Sequence, residues 1–238
     1  MQHTLKNLAG FSIHAKDGEL GKVDEFYFDD ITWKIRYVVV ETGNWLANRK
    51  VLISLSALEK PNWDMKKFVV NLTCEQVRNS PDVDTQKTVS RQHEVALHQY
   101  YQWPQYWDNG YGGTFGISQH PLLEIPITQE DHTADRDDDL HLRSTRQVTE
   151  YHIHATNGDI GHVSDFVVDD ETWTIRYLVV NTGEWFPGKN VLISPTWIMR
   201  VDWADASVYI DRMLESVKNS PLLESMEEDV CEPVKTSL

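Results

Sequence analysis

The chain has 238 residues, of which 40% are hydrophobic and 25% charged, and this balance favours a packed core over global disorder. A net charge of −15 argues against nucleic-acid binding, and no apolar run approaches the roughly 20 residues of a membrane helix. Because the N-terminus also lacks the apolar region of a signal peptide, we expect a cytoplasmic protein without direct membrane insertion.

The first part of the chain carries the signals of short antiparallel strands. Asp17-Gly18 lies between apolar segments and suits the positive φ angles of a type I′ hairpin turn. Strands are predicted over 23–28 and 33–40 because β-branched and aromatic residues are dense there, and the polar turn 29–32 separates them.

Further strands are predicted near 51–54 and 68–70, followed by a short helix over 73–79 that ends at Ser80-Pro81. Five or six short strands in about 70 residues favour a small closed barrel, because closure removes exposed strand edges.

Residues 82–143 have a different composition, with 4 basic and 11 acidic side chains. A helix is predicted near 91–101, with Ser90 as its cap, and Trp103-Pro104 ends it. The acidic run after it is interpreted as a solvated connector. A weak chelating site is the alternative for His132, Asp135, Asp137, Asp138, Asp139 and His141.

The strand pattern then repeats. When Phe11 is aligned with Tyr151, 23 of the first 44 positions are identical without a gap. The sequence therefore predicts a duplicated domain, whose two halves pack about a pseudo-twofold axis. The predicted organisation is a first half (1–81), a bridge (82–143), a second half (144–221) and an acidic tail (222–238).

Matched stretches in the two halves carry a family resemblance. The first half contains IHAKDGELGKV and FDDITWKIRYVVVETGNW, the second contains IHATNGDIGHV and VDDETWTIRYLVVNTGEW, and each continues to VLIS. In these motifs the chain resembles the PRC-barrel domain, a small β-barrel first described in the cytoplasmic part of the photosynthetic reaction-centre H subunit. The segment VSRQHEVALHQYYQWPQYW is similar to the connector of two-copy bacterial members.

The resemblance implies a mainly β protein with two barrels of five to six antiparallel strands. Each barrel would have a short C-terminal helix, and a partly helical linker would join them. The family supplies docking and assembly surfaces, so the resemblance implies no catalytic residues and no cofactor. The implied partner is a protein or a second copy of the chain, including one within a membrane-associated complex.

The bridge contains an aromatic cluster that is too apolar to face water alone. The cluster either packs on a barrel or anchors a protein partner, and both readings stay open at this stage. Its members are Tyr100, Tyr101, Trp103, Tyr106 and Trp107.

One arginine stands among apolar strand positions in each half. If a four-residue loop closes the hairpin, Arg36 faces Glu25 and Arg176 faces Asp165, which predicts structural ion pairs. The alternative is an anion-binding role for the arginines.

Histidines supply the candidates for a metal site. His14 and His154 are matched, and His152 shares a strand face with His154. The competing interpretation is strand histidines bonded to the backbone.

We expect a non-catalytic protein-docking or assembly module. The alternatives are a reaction-centre accessory protein, a metal-dependent enzyme using His14 and His154, and an RNA-associated factor, which the acidic balance disfavours.

Overall fold

The structure is a computed structural model that describes residues 1–81, 89, 91–107, 141–183 and 188–224, without the side chain of Gln92. The chain is mainly β and forms two sheets. Within these ranges no helix is both long and apolar enough to cross a membrane. The acidic connector and most of the tail lie outside the described residues, as does the proposed chelating set apart from His141.

The described residues of the first half and the bridge helix form six strands and three α-helices. They are β1 (Gln2–Thr4), α1 (Leu5–Leu8), β2 (Ser12–His14), β3 (Glu19–Asp29), β4 (Lys34–Glu41), β5 (Lys50–Ser54), β6 (Lys67–Val69), α2 (Cys74–Arg78) and the bridge helix α3 (Arg91–Tyr101).

The second half repeats this order with one extra strand. Its elements are β7 (Leu142–Ser144), α4 (Thr145–Val148), β8 (His152–Ala155), β9 (Gly158–Asp169), β10 (Ile175–Asn181), β11 (Asn190–Ile193), β12 (Ile198–Asp202), β13 (Ser207–Ile210) and α5 (Leu214–Lys218).

The two sheets are open, which corrects the expectation of closed, wholly antiparallel barrels. The first sheet has the order β5-β4-β3-β2-β6 and the second has β11-β10-β9-β8-β13-β12. The pairs β2–β6 and β8–β13 are parallel. Closure is not needed to bury the apolar faces, because one continuous core contains buried residues of both halves, among them Phe26, Phe68 and Phe166.

The halves exchange their first strands. β1 pairs with β9 of the second half, with Thr4 opposite Val167. β7 pairs with β3 of the first half, with Ser144 opposite Tyr27. Thr4 and Ser144 are 140 positions apart, as are Tyr27 and Val167, so each half makes the same pairing with the other. A pseudo-twofold axis requires this reciprocity.

Two tryptophans mark the junction on this axis. The backbone oxygen of Trp33 accepts a hydrogen bond from Ile175 N at 2.8 Å, and that of Trp173 accepts one from Ile35 N at 2.8 Å. Both tryptophans have positive φ angles, 55° and 54°. Each turn therefore ends at a tryptophan in the left-handed conformation, and the backbone of that tryptophan hydrogen-bonds directly to the other half.

The predicted ion pair of Glu25 with Arg36 is wrong. The hairpin closes with Asp29 opposite Lys34 instead of Phe28 opposite Trp33, and a register shift between Tyr27 and Phe28 adds one residue, so Glu25 lies opposite Val39. Arg36 is the extra residue of one bulge, and its Nη2 donates to Oδ2 of Asp29 at 3.1 Å. The prediction assumed a loop over 29–32 and an unbroken ladder, whereas the loop spans 30–33 and a bulge follows it.

The predicted pair of Asp165 with Arg176 is wrong for the same reason. Asp165 lies opposite Val179, and Arg176 Nη2 lies 3.6 Å from Oδ2 of Asp169. The Asp165 carboxylate instead accepts a hydrogen bond from Lys6 N, 3.3 Å away in the first turn of α1. The Asp165 carboxylate therefore stabilises the first turn of α1, a helix of the other half.

Candidate functional site

Two related grooves lie at the junction of the halves, each with a volume of about 390 Å³. We call one the unbridged groove; its lining includes Ile31, Trp33, Thr174, Arg176, Ser194 and Thr196. We call the other the bridged groove, because Pro104 and Tyr106 of the bridge join its lining. Its other lining residues include Lys34, Arg36, Ser54, Ser56 and Trp173, which are the equivalents of unbridged-groove residues.

An aspartate-centred turn positions each arginine. Asp29 accepts hydrogen bonds from Thr32 N at 2.8 Å and from Arg36 at 3.1 Å. Burial opposes ionisation of Asp29, but these donors outweigh it and lower the pKa of its carboxyl group. Asp169 organises the equivalent turn, and backbone donation from Thr172 lowers the pKa of Asp169. The repeated Asp-Asp-x-Thr sequence thus fixes an arginine beside each groove.

Paired hydroxyl groups form part of both groove walls. Ser54 Oγ lies 2.8 Å from Ser56 Oγ, and Ser194 Oγ lies 2.8 Å from Thr196 Oγ1. Ser54 and Ser194 also cap short 3-10 turns. Each groove therefore presents a guanidinium, two hydroxyl groups and an indole, a set suited to holding a polar and aromatic segment.

The described part of the bridge covers Arg36 and leaves Arg176 uncovered. The Tyr106 ring lies against Arg36, with 3.9 Å from Cζ to the ring centroid. The Arg36 side chain is 17% exposed, whereas that of Arg176 is 46% exposed. Within the described residues, no aromatic ring stacks on Arg176. The equivalence of the two grooves is therefore broken by the bridge.

A buried polar network fixes the bridge to the first half. Tyr37 Oη donates to Glu94 Oε1 at 2.9 Å and lies 2.7 Å from His98 Nε2. The Tyr106 hydroxyl also donates to Glu94. Arg91 Nη1 lies 2.8 Å from Glu94 Oε2, and Glu94 is fully buried. The carboxylate is thus compensated by one guanidinium and two hydroxyl groups.

The network strongly perturbs its titratable groups. Burial raises the pKa of Tyr37 and of Tyr106, and the neighbouring Glu94 charge adds to both shifts. Burial lowers the pKa of His98, against the raising effect of its bond to the Pro104 carbonyl. The tyrosines are therefore neutral donors, and His98 is held toward its neutral form. Such shifts also arise in purely structural networks.

The aromatic cluster of the bridge packs against the first half. Tyr101 stacks on Trp103 with ring centroids 4.2 Å apart, and Trp107 lies 4.7 Å from the His98 ring. Tyr100 is 39% exposed, and its hydroxyl donates to the Gln76 carbonyl at 2.9 Å. Of the two interpretations left open by the sequence, packing describes these rings.

The outer strand beside the unbridged groove differs between the halves. β12 pairs with β13, and no strand of the described residues covers its other edge. Met199 on this strand is 68% exposed, and Ile31 beside the groove is 80% exposed. The equivalent positions hold Glu59 and Glu171, and Pro61 lies in the segment equivalent to β12. The first-half segment is thus charged and interrupted by proline, while β12 carries the exposed Met199 beside Arg200 and Asp202.

The candidate metal histidines do not assemble a site. His14 Nε2 lies 3.2 Å from Ser12 Oγ, while His154 Nδ1 lies 2.6 Å from Asp159 Oδ1. His152 faces His162 across β8 and β9. In the ranges that the structure describes, no group of three or more His, Cys, Asp or Glu side chains is arranged to hold a metal ion.

The acids of the mistaken ion pairs lie at a third cavity, of about 340 Å³, on the pseudo-twofold axis. Glu25 accepts a hydrogen bond from Ser144, whose Oγ caps α4 by accepting from Gln147 N at 3.2 Å. Burial raises the pKa of Asp165. Since each acid supports the other half's first helix, their retention in both halves has a structural cause.

Sequence reasoning missed Ile31, Met199 and Glu94 as site residues. The first two were detectable as positions where the halves diverge from glutamate to an apolar residue. Glu94 has the pattern of an ordinary helix-surface charge, so only the packing of α3 reveals its burial.

Comparison with known proteins gives two matches. A family model described as PRC-barrel domain matches residues 2–71 and 153–216, which is more than half of the chain. A protein of Deinococcus radiodurans, described only as uncharacterized, is 46% identical over 61 residues, or 25% of this chain. The match covers 21% of that relative's length.

Proposed function

The chain belongs to the PRC-barrel domain family, and from this premise we propose that it is a non-catalytic docking module whose partner-binding surface is the unbridged groove with the neighbouring edge of β12. The observation that carries the proposal is the exposure of Ile31 and Met199, whose equivalent positions in the other half hold Glu171 and Glu59. Exposed apolar residues beside a groove are a common feature of binding surfaces.

The polar groups of the grooves also support binding rather than chemistry. Arg36 and Arg176 are each beside an aspartate, and the groove hydroxyl groups bond to one another. The β12 edge offers backbone groups to an added strand, a known mode of peptide recognition. The net charge of −15 disfavours a polyanionic partner and favours a basic one.

Capture of proteins from the native host by the full chain tests the proposal. The variant carrying Ile31→Glu and Met199→Glu places at both positions the glutamate that their equivalents, Glu171 and Glu59, carry. A control variant carries Glu59→Gln and Glu171→Gln. We expect a stoichiometric protein partner to be retained by the wild type and the control. The double glutamate variant should bind it at least tenfold more weakly, a loss of about 1.4 kcal/mol or more.

Folding of each variant is checked by circular dichroism and thermal melting. Equal capture by all three proteins contradicts the proposed surface. The absence of any stoichiometric partner contradicts the docking function itself.

A further inference from the structure

The bridged groove contains an example of what such a groove holds. Pro104, Gln105 and Tyr106 join its lining, and the Tyr106 ring covers the Arg36 guanidinium at 3.9 Å. The Pro104 carbonyl lies 2.9 Å from His98 Nδ1. The chain itself therefore places a proline–aromatic segment against one of two equivalent sites.

The unbridged groove contains the equivalents of the side chains that line the bridged groove around this segment. Arg176 is equivalent to Arg36, the hydroxyl pair of Ser194 and Thr196 to that of Ser54 and Ser56, and Trp33 to Trp173. What differs is the bridge, so Arg176 is more than twice as exposed as Arg36.

From this equivalence we propose that the unbridged groove binds a proline–aromatic segment of a partner protein, with the aromatic ring stacked on the Arg176 guanidinium. The inference rests on the proposed docking function and adds the chemistry of the partner. Thr174 replaces Lys34 here, and exposed Ile31 replaces Glu171. The groove is thus more apolar than its equivalent and suits a segment richer in apolar residues.

A peptide of residues 101–107, YQWPQYW, with both ends blocked, is the probe. It is titrated into the isotope-labelled full chain and followed by NMR. We expect shifts at Thr174, Ser194 and Thr196. Arg176→Met should weaken binding roughly fivefold or more because the cation–π contact is lost, whereas Arg36→Met should leave binding at the unbridged groove in place. A peptide with alanine for Tyr106 should also bind roughly fivefold more weakly, and a scrambled peptide should not shift these three residues.

Three outcomes would overturn the inference. The first is no shift at millimolar peptide, and the second is shifts confined to the bridged groove. The third is a concentration-dependent dimer in sedimentation that Arg176→Met abolishes, which would assign the groove to the bridge of a second chain.

The proposed function fails separately from this inference. If a captured partner depends on Ile31 and Met199 while the peptide does not bind, docking stands and the proline–aromatic chemistry is wrong. If neither binds, both are wrong.

Discussion

Tyr37 and Tyr177 are the same residue at equivalent positions of β4 and β10, but their surroundings differ. Tyr37 is fully buried and bonded to Glu94 and His98 of the bridge. Tyr177 is only partly buried and packs against an apolar cluster, and its hydroxyl group makes no hydrogen bond with any described residue. The duplicated framework fixes where a side chain lies, while the unrepeated bridge decides what it does.

The same contrast separates the two grooves. In the first half the bridge occupies the position a partner would take, covering Arg36 with Tyr106. In the second half the equivalent arginine and its groove remain open. The duplicated sheets thus frame one groove that the bridge lines and one whose lining contains no described bridge residue.

Among these tests, Glu94→Ala is expected to have the largest effect on stability. The change leaves Arg91 and two tyrosine hydroxyl groups without their buried acceptor, so we expect a loss of about 3–5 kcal/mol in the free energy of unfolding. Urea denaturation measures it. The exposed Glu19→Ala is the control and should change stability by less than about 0.5 kcal/mol. A small effect at Glu94 would mean that α3 does not hold the bridge in place.

The next largest effect is expected from removing the hydroxyl group of Tyr37, compared with removing that of Tyr177. Tyr37→Phe removes the hydroxyl group that donates to Glu94 and lies against His98 Nε2, and we expect a loss of about 1.5–3 kcal/mol because the acceptor is charged. Tyr177→Phe should cost less than about 0.5 kcal/mol. Chemical denaturation of both variants tests the difference, and equal losses would contradict the asymmetry.

Local sequence patterns predict much of the framework. The strand and turn residues around Asp29 and Asp169, and the helix ending before Trp103, carry local signals of hairpins and caps. These signals depend on residues close in sequence, so they can be recognised from the sequence alone.

Long-range pairing could not be predicted in the same way. β1 and β7 are three residues long, and nothing in them signals that they pair with the opposite half. The exact position of a hairpin loop and of a bulge likewise has no clear local pattern, and together they place Glu25 opposite Val39 and leave Arg36 beside Asp29. The site depends on such pairings and on the docking of α3. Of its residues that were missed, only Ile31 and Met199 could have been found from the sequence, as positions where the halves diverge.

Matched arginine changes probe the cover supplied by Tyr106. Arg36→Met removes a stacked guanidinium and its pair with Asp29, with an expected loss of about 1–2 kcal/mol. Arg176→Met removes a more exposed group and should cost at most about 0.5 kcal/mol. Thermal melting compares them, and indistinguishable values would contradict the difference in burial.

The smallest expected effect is the pH dependence contributed by His98. Burial lowers its pKa in the folded state, so the unfolded chain binds a proton more readily. Stability from this residue is therefore complete above the unfolded pKa of about 6.5 and is lost as pH falls below it. We expect the wild type to lose about 1 kcal/mol more than His98→Gln between pH 7.5 and 5.5, measured by urea denaturation.

Subtracting the His98→Gln profile removes the contributions of other titrating groups, such as His3, whose pKa burial also lowers. The second half supplies a further check: among the described residues no histidine bonds to the Tyr177 hydroxyl, so Tyr177→Phe should leave the wild-type pH profile unchanged. Parallel profiles for the wild type and His98→Gln would show that His98 is not held neutral. The bridge would then be fixed by Glu94 and the aromatic rings, without the help of His98.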